Sequence, residues 1–263
     1  MKFISFGSGS SGNCYFVGNE SYGILIDAGI SSRKIKKYLK EAGYELSQIY
    51  GVFITHDHFD HIKSVGTLGE VYSIPVYSTE DILKGINKCY KITEKLYTCK
   101  RPINILEEVC VKDFKITAFE VEHDSSQCVG YHIEFEGEKI TLATDLGGIN
   151  EKACEYICKA DHVVIEANYD EEMLLNGSYH YLLKQRILGG CGHLANHVTM
   201  RFLAENYMEN WKNIFFCHLS QNNNTPDTVM RAARRALEGK EVNLTALPRT
   251  RIFEIKLEEL KKN

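Results

Sequence analysis

The run Thr55-His56-Asp57-His58-Phe59-Asp60-His61 places three imidazoles and the Asp60 carboxylate within six residues. It follows the apolar run Val52-Phe53-Ile54, which reads as a short buried strand. In extended chain, side chains at i and i+2 point the same way, so His56 and His58 aim at one point. Asp60 and His61 lie past the strand end, where a turn aims both at a second point a few ångströms away. Nitrogen and oxygen donors so arranged suit a borderline cation such as zinc. A histidine-rich solvated turn is the plain alternative, and the buried strand just before the run argues against it.

Other segments repeat the form of an apolar strand that ends in a possible ligand. Ile116–Val121 leads to His123, Ile140–Thr144 leads to Asp145 with Gly147 and Gly148 beyond, and Ile214–Cys217 leads to His218. Sites in sheet proteins collect at the carboxyl ends of strands, where loops converge. His56, His58, Asp60, His61, His123, Asp145 and His218 together make five imidazoles and two carboxylates, enough for two metals with Asp145 bridging. Two dications against two carboxylates leave an excess of positive charge. Such a centre favours an anionic substrate, lowers the pKa of coordinated water, and suits in-line displacement at phosphorus.

The elements that must position these donors interleave along the chain. Strand signals fall at Met1–Phe6, Cys14–Val17, Gly23–Asp27, Val52–Ile54, Val76–Tyr77, Lys115–Val121, Val129–Phe135, Lys139–Thr144, His162–Ala167, Ile214–Cys217 and Arg251–Leu257. Helix signals fall near Ser32–Ala42, Thr79–Asn87, Asn150–Lys159, Tyr179–Leu188, His197–Tyr207 and Pro226–Leu237. Ser31 or Ser32 caps the first helix and Gly43 stops it; Thr225 and Pro226 open the last, and Gly239 lies past its end. The interleaving predicts an α+β (α/β) class with more than one sheet.

The chain has 263 residues, 44% hydrophobic and 25% charged, which predicts an ordered globular protein. No repeat and no Pro/Ser-rich linker divides it, so residues 1–263 read as one domain. A net charge of −4 excludes a wholesale basic coat for nonspecific DNA binding. Local basic residues remain: Lys184 and Arg186; Arg231, Arg234 and Arg235; Arg249 and Arg251. No window is apolar enough for a membrane span, and Met1–Val17 is too polar for a signal-peptide core. The 9 cysteines include no CxxC pair, so neither a zinc knuckle nor a disulfide framework is expected. Free thiols fit a cytoplasmic location.

With these residues the chain resembles the metallo-β-lactamase superfamily. Its HxHxDH signature matches His56, His58, Asp60 and His61, and its later ligands match His123, Asp145 and His218 in order. The resemblance implies a four-layer αββα sandwich with the metals at one edge. Ser8-Gly9-Ser10-Ser11-Gly12-Asn13-Cys14, Gly192-His193-Leu194-Ala195-Asn196, and His218-Leu219-Ser220 with Asn222-Asn223-Asn224-Thr225-Pro226 are similar to the YycJ/WalJ group. That group implies a 5′-to-3′ DNA exonuclease linked to mismatch repair and related to tRNA 3′-processing endonucleases. Two departures are Ala195 for the group's Ser, and Tyr179-His180 for its Tyr-Pro. Asp145 stands where the best-known zinc β-lactamases carry Cys, and His58 where flavodiiron relatives carry Glu.

The resemblance implies that His56, His58 and His123 hold one divalent ion (zinc, manganese or iron), that Asp60, His61 and His218 hold the other, and that Asp145 bridges. Asp60 and His193 are the candidate catalytic residues, His193 as proton donor to the departing oxygen. DNA is the expected substrate, and no membrane partner is expected. Ser10, Asn13, Asn168, Tyr179, Lys184 and Arg186 are the candidate substrate contacts. Ser10, Gly12 and Asn13 either present backbone N–H groups to a phosphate or form a plain tight turn. Asp57 either orients a ligand histidine or is a solvated turn residue. His132, His162, His180 and His197 read as structural or surface groups, and Cys217 as a small core residue. A thioester or lactone hydrolase on the same metals, a tRNA-processing-like endoribonuclease, and a metal-dependent binding module are the rival readings.

Overall fold

The computed structural model describes residues 1–189 and 192–257. One sheet contains β1 (Lys2–Gly7), β2 (Cys14–Gly18), β3 (Gly23–Ile26), β4 (Ile49–Phe53), β5 (Val76–Ser78), β6 (Lys100–Pro102) and β14 (Phe253–Lys256). The other contains β7 (Glu108–Val111), β8 (Phe114–Glu120), β9 (Val129–Phe135), β10 (Glu138–Ala143), β11 (His162–Glu166), β12 (Asn213–Cys217) and β13 (Asn243–Ala246). The strand orders are β14-β1-β2-β3-β4-β5-β6 and β13-β12-β11-β10-β9-β8-β7. The helices are α1 (Ser32–Glu41), α2 (Phe59–Ile62), α3 (Glu80–Lys88), α4 (Glu151–Lys159), α5 (Glu171–Asn176), α6 (Tyr181–Leu188), α7 (Asn196–Glu205) and α8 (Pro226–Ala236).

Alternation along β12 shows how the layers form. Phe215 and Cys217 enter the core between the sheets with Phe3, Phe53, Tyr131 and Leu142, while Ile214 and Phe216 pack outward. The outward set meets Ala153 and Ile157 of α4, Leu203 of α7, and Val229 and Ala233 of α8. α1 and α3 bury Ile35, Leu39, Ile82 and Ile86 with the first sheet. The result is an αββα sandwich. Strands covered on both faces read as continuous apolar runs, as β11 and β12 do.

Strand direction brings the chemistry to one edge. β3 to β6 run parallel, as do β10 to β13, and β8 runs with β10 because β9 is antiparallel to both. The chain therefore leaves β3, β4, β8, β10 and β12 with Asp27, His56–His61, His123, Asp145 and His218 in neighbouring exits. Three of these exit residues, Asp27 (φ 61°), Asp145 (φ 55°) and His218 (φ 54°), take the left-handed backbone region. That conformation is costly for a side-chain-bearing residue and gathers at functional sites.

Ser31 and Thr225 cap α1 and α8 as anticipated, and Gly43 (φ 88°) and Gly239 (φ 75°) lie past helix ends in left-handed conformation. The sequence reading missed β6, β7, β13 and α5, and gave a turn where α2 carries Asp60 and His61. β6, β7 and β13 are edge strands; β6 (Lys-Arg-Pro) carries no apolar alternation, and the four residues of β13 (Asn-Leu-Thr-Ala) alternate over too short a run, with only partial burial, to stand out.

Phe215 is fully buried between Phe3 (ring centroids 5.0 Å apart) and Phe253 (5.8 Å). Phe215→Ala is expected to lower the unfolding free energy by about 3–5 kcal/mol in urea titration. A loss below about 1 kcal/mol would contradict this inter-sheet packing.

Candidate metal centre

The turn after β4 is pinned before its side chains do anything. The Asn13 N–H donates to the Asp60 carbonyl (2.8 Å), Ala28 N–H to the His61 carbonyl (2.7 Å), and Ser64 N–H to the Ala28 carbonyl (2.9 Å). Gly29 lies against the same turn so closely that a Cβ there would stand 1.6 Å from the Asp60 carbonyl oxygen. A glycine is required at that contact.

Each buried histidine has one nitrogen committed outward. His61 Nδ1 donates to Asp27 Oδ2 (2.7 Å), His123 Nδ1 to the Gly192 carbonyl (2.9 Å), and His218 Nδ1 to Glu166 Oε1 (2.9 Å). The Thr55 hydroxyl gives its proton to Asp27 (2.9 Å), so toward His56 Nδ1 (3.1 Å) it accepts. The proton therefore sits on Nδ1 in all four rings, and Nε2 turns inward. His58 presents its Nδ1, 3.3 Å from His123 Nε2.

These inward atoms meet in overlapping groups. His56, His58 and His123 offer one nitrogen each within 4.8 Å of one another, and so do the donors of Asp60, His61 and His218. Asp145 lies between them, with Oδ2 3.2 Å from His61 Nε2 and Oδ1 3.9 Å from His123 Nε2. His56 Nε2 and His218 Nε2 are buried without a hydrogen-bond partner. A buried polar atom left so is costly. Convergent imidazole nitrogens and carboxylate oxygens with two orphaned nitrogens are the donor set of divalent ions, and the site fits them.

The charges respond to this crowding. Burial drives the His56 imidazolium well below its ordinary range and brings His123 down to about 4. Burial also opposes charge on His61 and His218, but Asp145 and its neighbouring carboxylates outweigh it. They hold His61 well above the ordinary value and push His218 up to about 10. Burial raises Asp27, against the opposing pull of His61 and Thr55 beside it.

Two carboxylates at strand ends were given no site role in the sequence reading. Asp27 ends the β3 exit and also accepts from the Thr55 N–H (2.9 Å). Glu166, the last residue of β11, takes Nδ1–H from both His193 (2.8 Å) and His218 (2.9 Å), and its Oε2 accepts from the Leu146 N–H (2.7 Å). The available signal was the one used for Asp145, an apolar strand ending in an acid. Counting both corrects the charge reading: two more buried carboxylates cancel the excess positive charge expected for two dications.

The other candidates separate by position. Ser10, Asn168, Tyr179, Arg186 and His193 line a cavity of about 270 Å³ that also exposes His58, His123 and His218. Asn168 Nδ2 donates to the His218 carbonyl (2.7 Å). Arg186 is ion-paired with Asp124 beside His123. Lys184 Nζ donates to the Leu175 carbonyl (2.7 Å) and is not among the lining residues. Asn13 is fully buried; its Nδ2 lies 2.8 Å from His61 Nε2, and Gly12 N–H donates to Gly9 (2.8 Å) in a tight turn. Asp57 accepts from Ser126 Oγ (2.9 Å). His132 and His162 bond Thr141 (2.8 Å) and Glu138 (2.9 Å), away from the cavity.

Asp27→Asn replaces one acceptor with a donor against Thr55 and His61, and is expected to weaken zinc affinity about 10–100-fold in chelator competition. Unchanged affinity would remove Asp27 from the support of His61.

Comparison with known proteins agrees with this geometry. Residues 22–209 match the family profile described as "Beta-lactamase superfamily domain". "Exodeoxyribonuclease YycJ" of Bacillus anthracis is 31% identical over 241 residues, 91% of this chain and 90% of that protein. "Exodeoxyribonuclease WalJ" of Streptococcus pneumoniae is 31% identical over 224 residues, 85% and 83% of the two chains. Among solved structures, the metallo-β-lactamase fold protein YhfI of Bacillus subtilis superposes with a TM-score of 0.71 at 16% identity, over 97% of this chain and 99% of that one. The short form of human tRNase Z superposes at 0.67 and 16% identity, over 98% of this chain and 100% of that one. By profile, by relatives aligned along most of its length and by fold, the chain belongs to the metallo-β-lactamase superfamily and is a hydrolase of that family.

Proposed function

We propose that the chain is a dinuclear metal-dependent phosphodiesterase that degrades DNA from an end, in the 5′-to-3′ direction. The observation that carries this reading is the convergence of His56, His58, Asp60, His61, His123, Asp145 and His218, with orphaned nitrogens at its centre, in a chain related to named exodeoxyribonucleases. His56, His58 and His123 would hold one ion, Asp60, His61 and His218 the other, and Asp145 would serve both. Bound there, divalent ions supply Lewis-acid charge to a phosphodiester and make water a better nucleophile near neutral pH. Zinc, manganese and iron all suit these donors. The pairing of β14 with β1 supports reading residues 1–263 as one domain.

The chain's own groups do the rest. His193 lines the cavity with 27% of its side chain exposed, and its Nδ1–H is held by Glu166 Oε1. Burial opposes its charge, but the Glu166 carboxylate outweighs burial and holds the imidazolium above its ordinary range. With Nδ1 committed, Nε2–H is left to protonate the departing oxygen. Asn168 fixes the loop that carries His218. No helix among the described residues is long and apolar enough to cross a membrane. The free cysteines suit a reducing, cytoplasmic location, and with DNA as the substrate the reading extends to a role in DNA repair.

The test is release of nucleotides from end-labelled duplexes, with zinc or manganese and a thioester as a parallel substrate. His58→Ala and Asp145→Ala are expected to lower kcat/KM on DNA more than about a hundredfold, beyond the effect of a supporting residue. Full activity in the double variant, or turnover of the thioester alone, would overturn the reading. A protonated His193 predicts that kcat falls as pH rises through its elevated pKa. In Glu166→Gln the neutral partner no longer raises that pKa, so the alkaline limb of the profile should move to lower pH; an unmoved limb would contradict the pairing.

A further inference from the structure

The cavity has a wall that the metal donors do not explain. His58, His123, His193 and His218 lie in its lining, and so do Tyr179, Leu183 and Ile187. Leu183 and Ile187 are four residues apart on one face of α6, and Tyr179, which precedes the extended N-cap His180, joins them in the lining. α6 buries none of its own residues, and Leu183 is 39% exposed. Tyr179 and Ile187 rest partly on Tyr169, Leu174 and Ala195, and a wall so backed and left open to the cavity is suited to a flat apolar group. The Tyr179 hydroxyl accepts from Asn222 Nδ2 at 3.4 Å. Asn223 also lines the cavity, with its buried Oδ1 lacking a hydrogen-bond partner.

The charges favour an uncharged occupant for this wall. Arg186, the cation in the same stretch of α6, is taken up by Asp124, and Lys184 caps the Leu175 carbonyl. Among the described residues a phosphate would find no unengaged Arg or Lys on this wall, whereas divalent ions held opposite would bind a phosphate oxygen directly. A nucleotide at the end of a strand has both halves: a phosphodiester for the metal side and an aromatic base for the apolar side.

We propose that Tyr179, Leu183 and Ile187 form a base-binding subsite in which the terminal base of the strand leaves its stack and lies on the Tyr179 ring, with the Asn223 amide beside its polar edge. This rests on the phosphodiesterase reading above. The subsite makes Tyr179 a specificity-determining residue. Because the base must unpair and unstack to reach it, a frayed or mismatched end is a better substrate than a fully paired one.

The test uses the full, manganese-loaded chain and strands that differ at the terminal residue, natural or abasic. With the natural end, Tyr179→Ala should raise KM about tenfold, the range of one lost base–aromatic stack, with the loss expressed in KM rather than kcat. Tyr179→Phe, which keeps the ring, should restore KM. With the abasic end the wild type should already show the higher KM, and Tyr179→Ala should add nothing. Fluorescence anisotropy on strands with a cleavage-resistant phosphorothioate terminus should give the same pattern in Kd. An equal penalty on both ends, no penalty on either, or a change of sedimentation in Tyr179→Ala without a change in KM would overturn the subsite and leave the nuclease reading standing. A wild type that cleaves no DNA end would fail that reading instead.

Discussion

A buried imidazole is aimed at a cation through one nitrogen when its other nitrogen is held by a fixed acceptor, and four rings of the centre are held in this way. Asp27, Thr55, the Gly192 carbonyl and Glu166 serve His61, His56, His123 and His218 in turn. Each such bond fixes a tautomer and a ring direction together. The same carboxylates set the charge. Asp27, Asp60, Asp145 and Glu166 surround the histidines, which is why His61 and His218 hold protons strongly while His56, deeply buried, rejects one. Cations entering the site must displace those protons, so affinity rises with pH.

Geometry of this kind needs a stiff support, and the two sheets provide it. The strand exits lie at one edge because the strands that feed them run parallel, and the inter-sheet core is filled by Phe3, Phe53, Phe215 and Tyr131. Tyr131 also ties the sheets at the site, its hydroxyl donating to the Ile54 carbonyl at 2.7 Å just before Thr55. Left-handed backbone at Asp27, Asp145 and His218 costs about 1–3 kcal/mol each, and the rigid sheet edge is what sustains it. Glu166 couples the two functional layers, since one oxygen orients both a metal-facing histidine and the cavity-facing His193.

Much of this was legible in the sequence, for reasons that differ by element. The central strands announced themselves because both faces are buried, so Ile214–Cys217 and Val163–Ile165 contain only apolar residues. The candidate metal donors were legible because each lies just past such a strand. Asp27 and Glu166 follow or end strands too, but a lone acid at a strand end does not say whether it meets a metal, a histidine or solvent. That depends on which exits the sheet order makes neighbours. Edge strands β6, β7 and β13 stayed hidden because pairing on one side requires little burial. Asn13 shows the converse: its motif is readable, yet only the fold reveals that its amide meets His61 and its N–H meets Asp60.

The central claim is that seven side chains from four strand exits close around two divalent ions. Metal content of the reconstituted chain, by inductively coupled plasma mass spectrometry after removal of free metal, tests it most directly. The account predicts about two ions per wild-type chain, falling when His56 or His218 is replaced by alanine. A wild-type chain that retains less than about one ion, or His56→Ala and His218→Ala chains that retain as much as wild type, would contradict it.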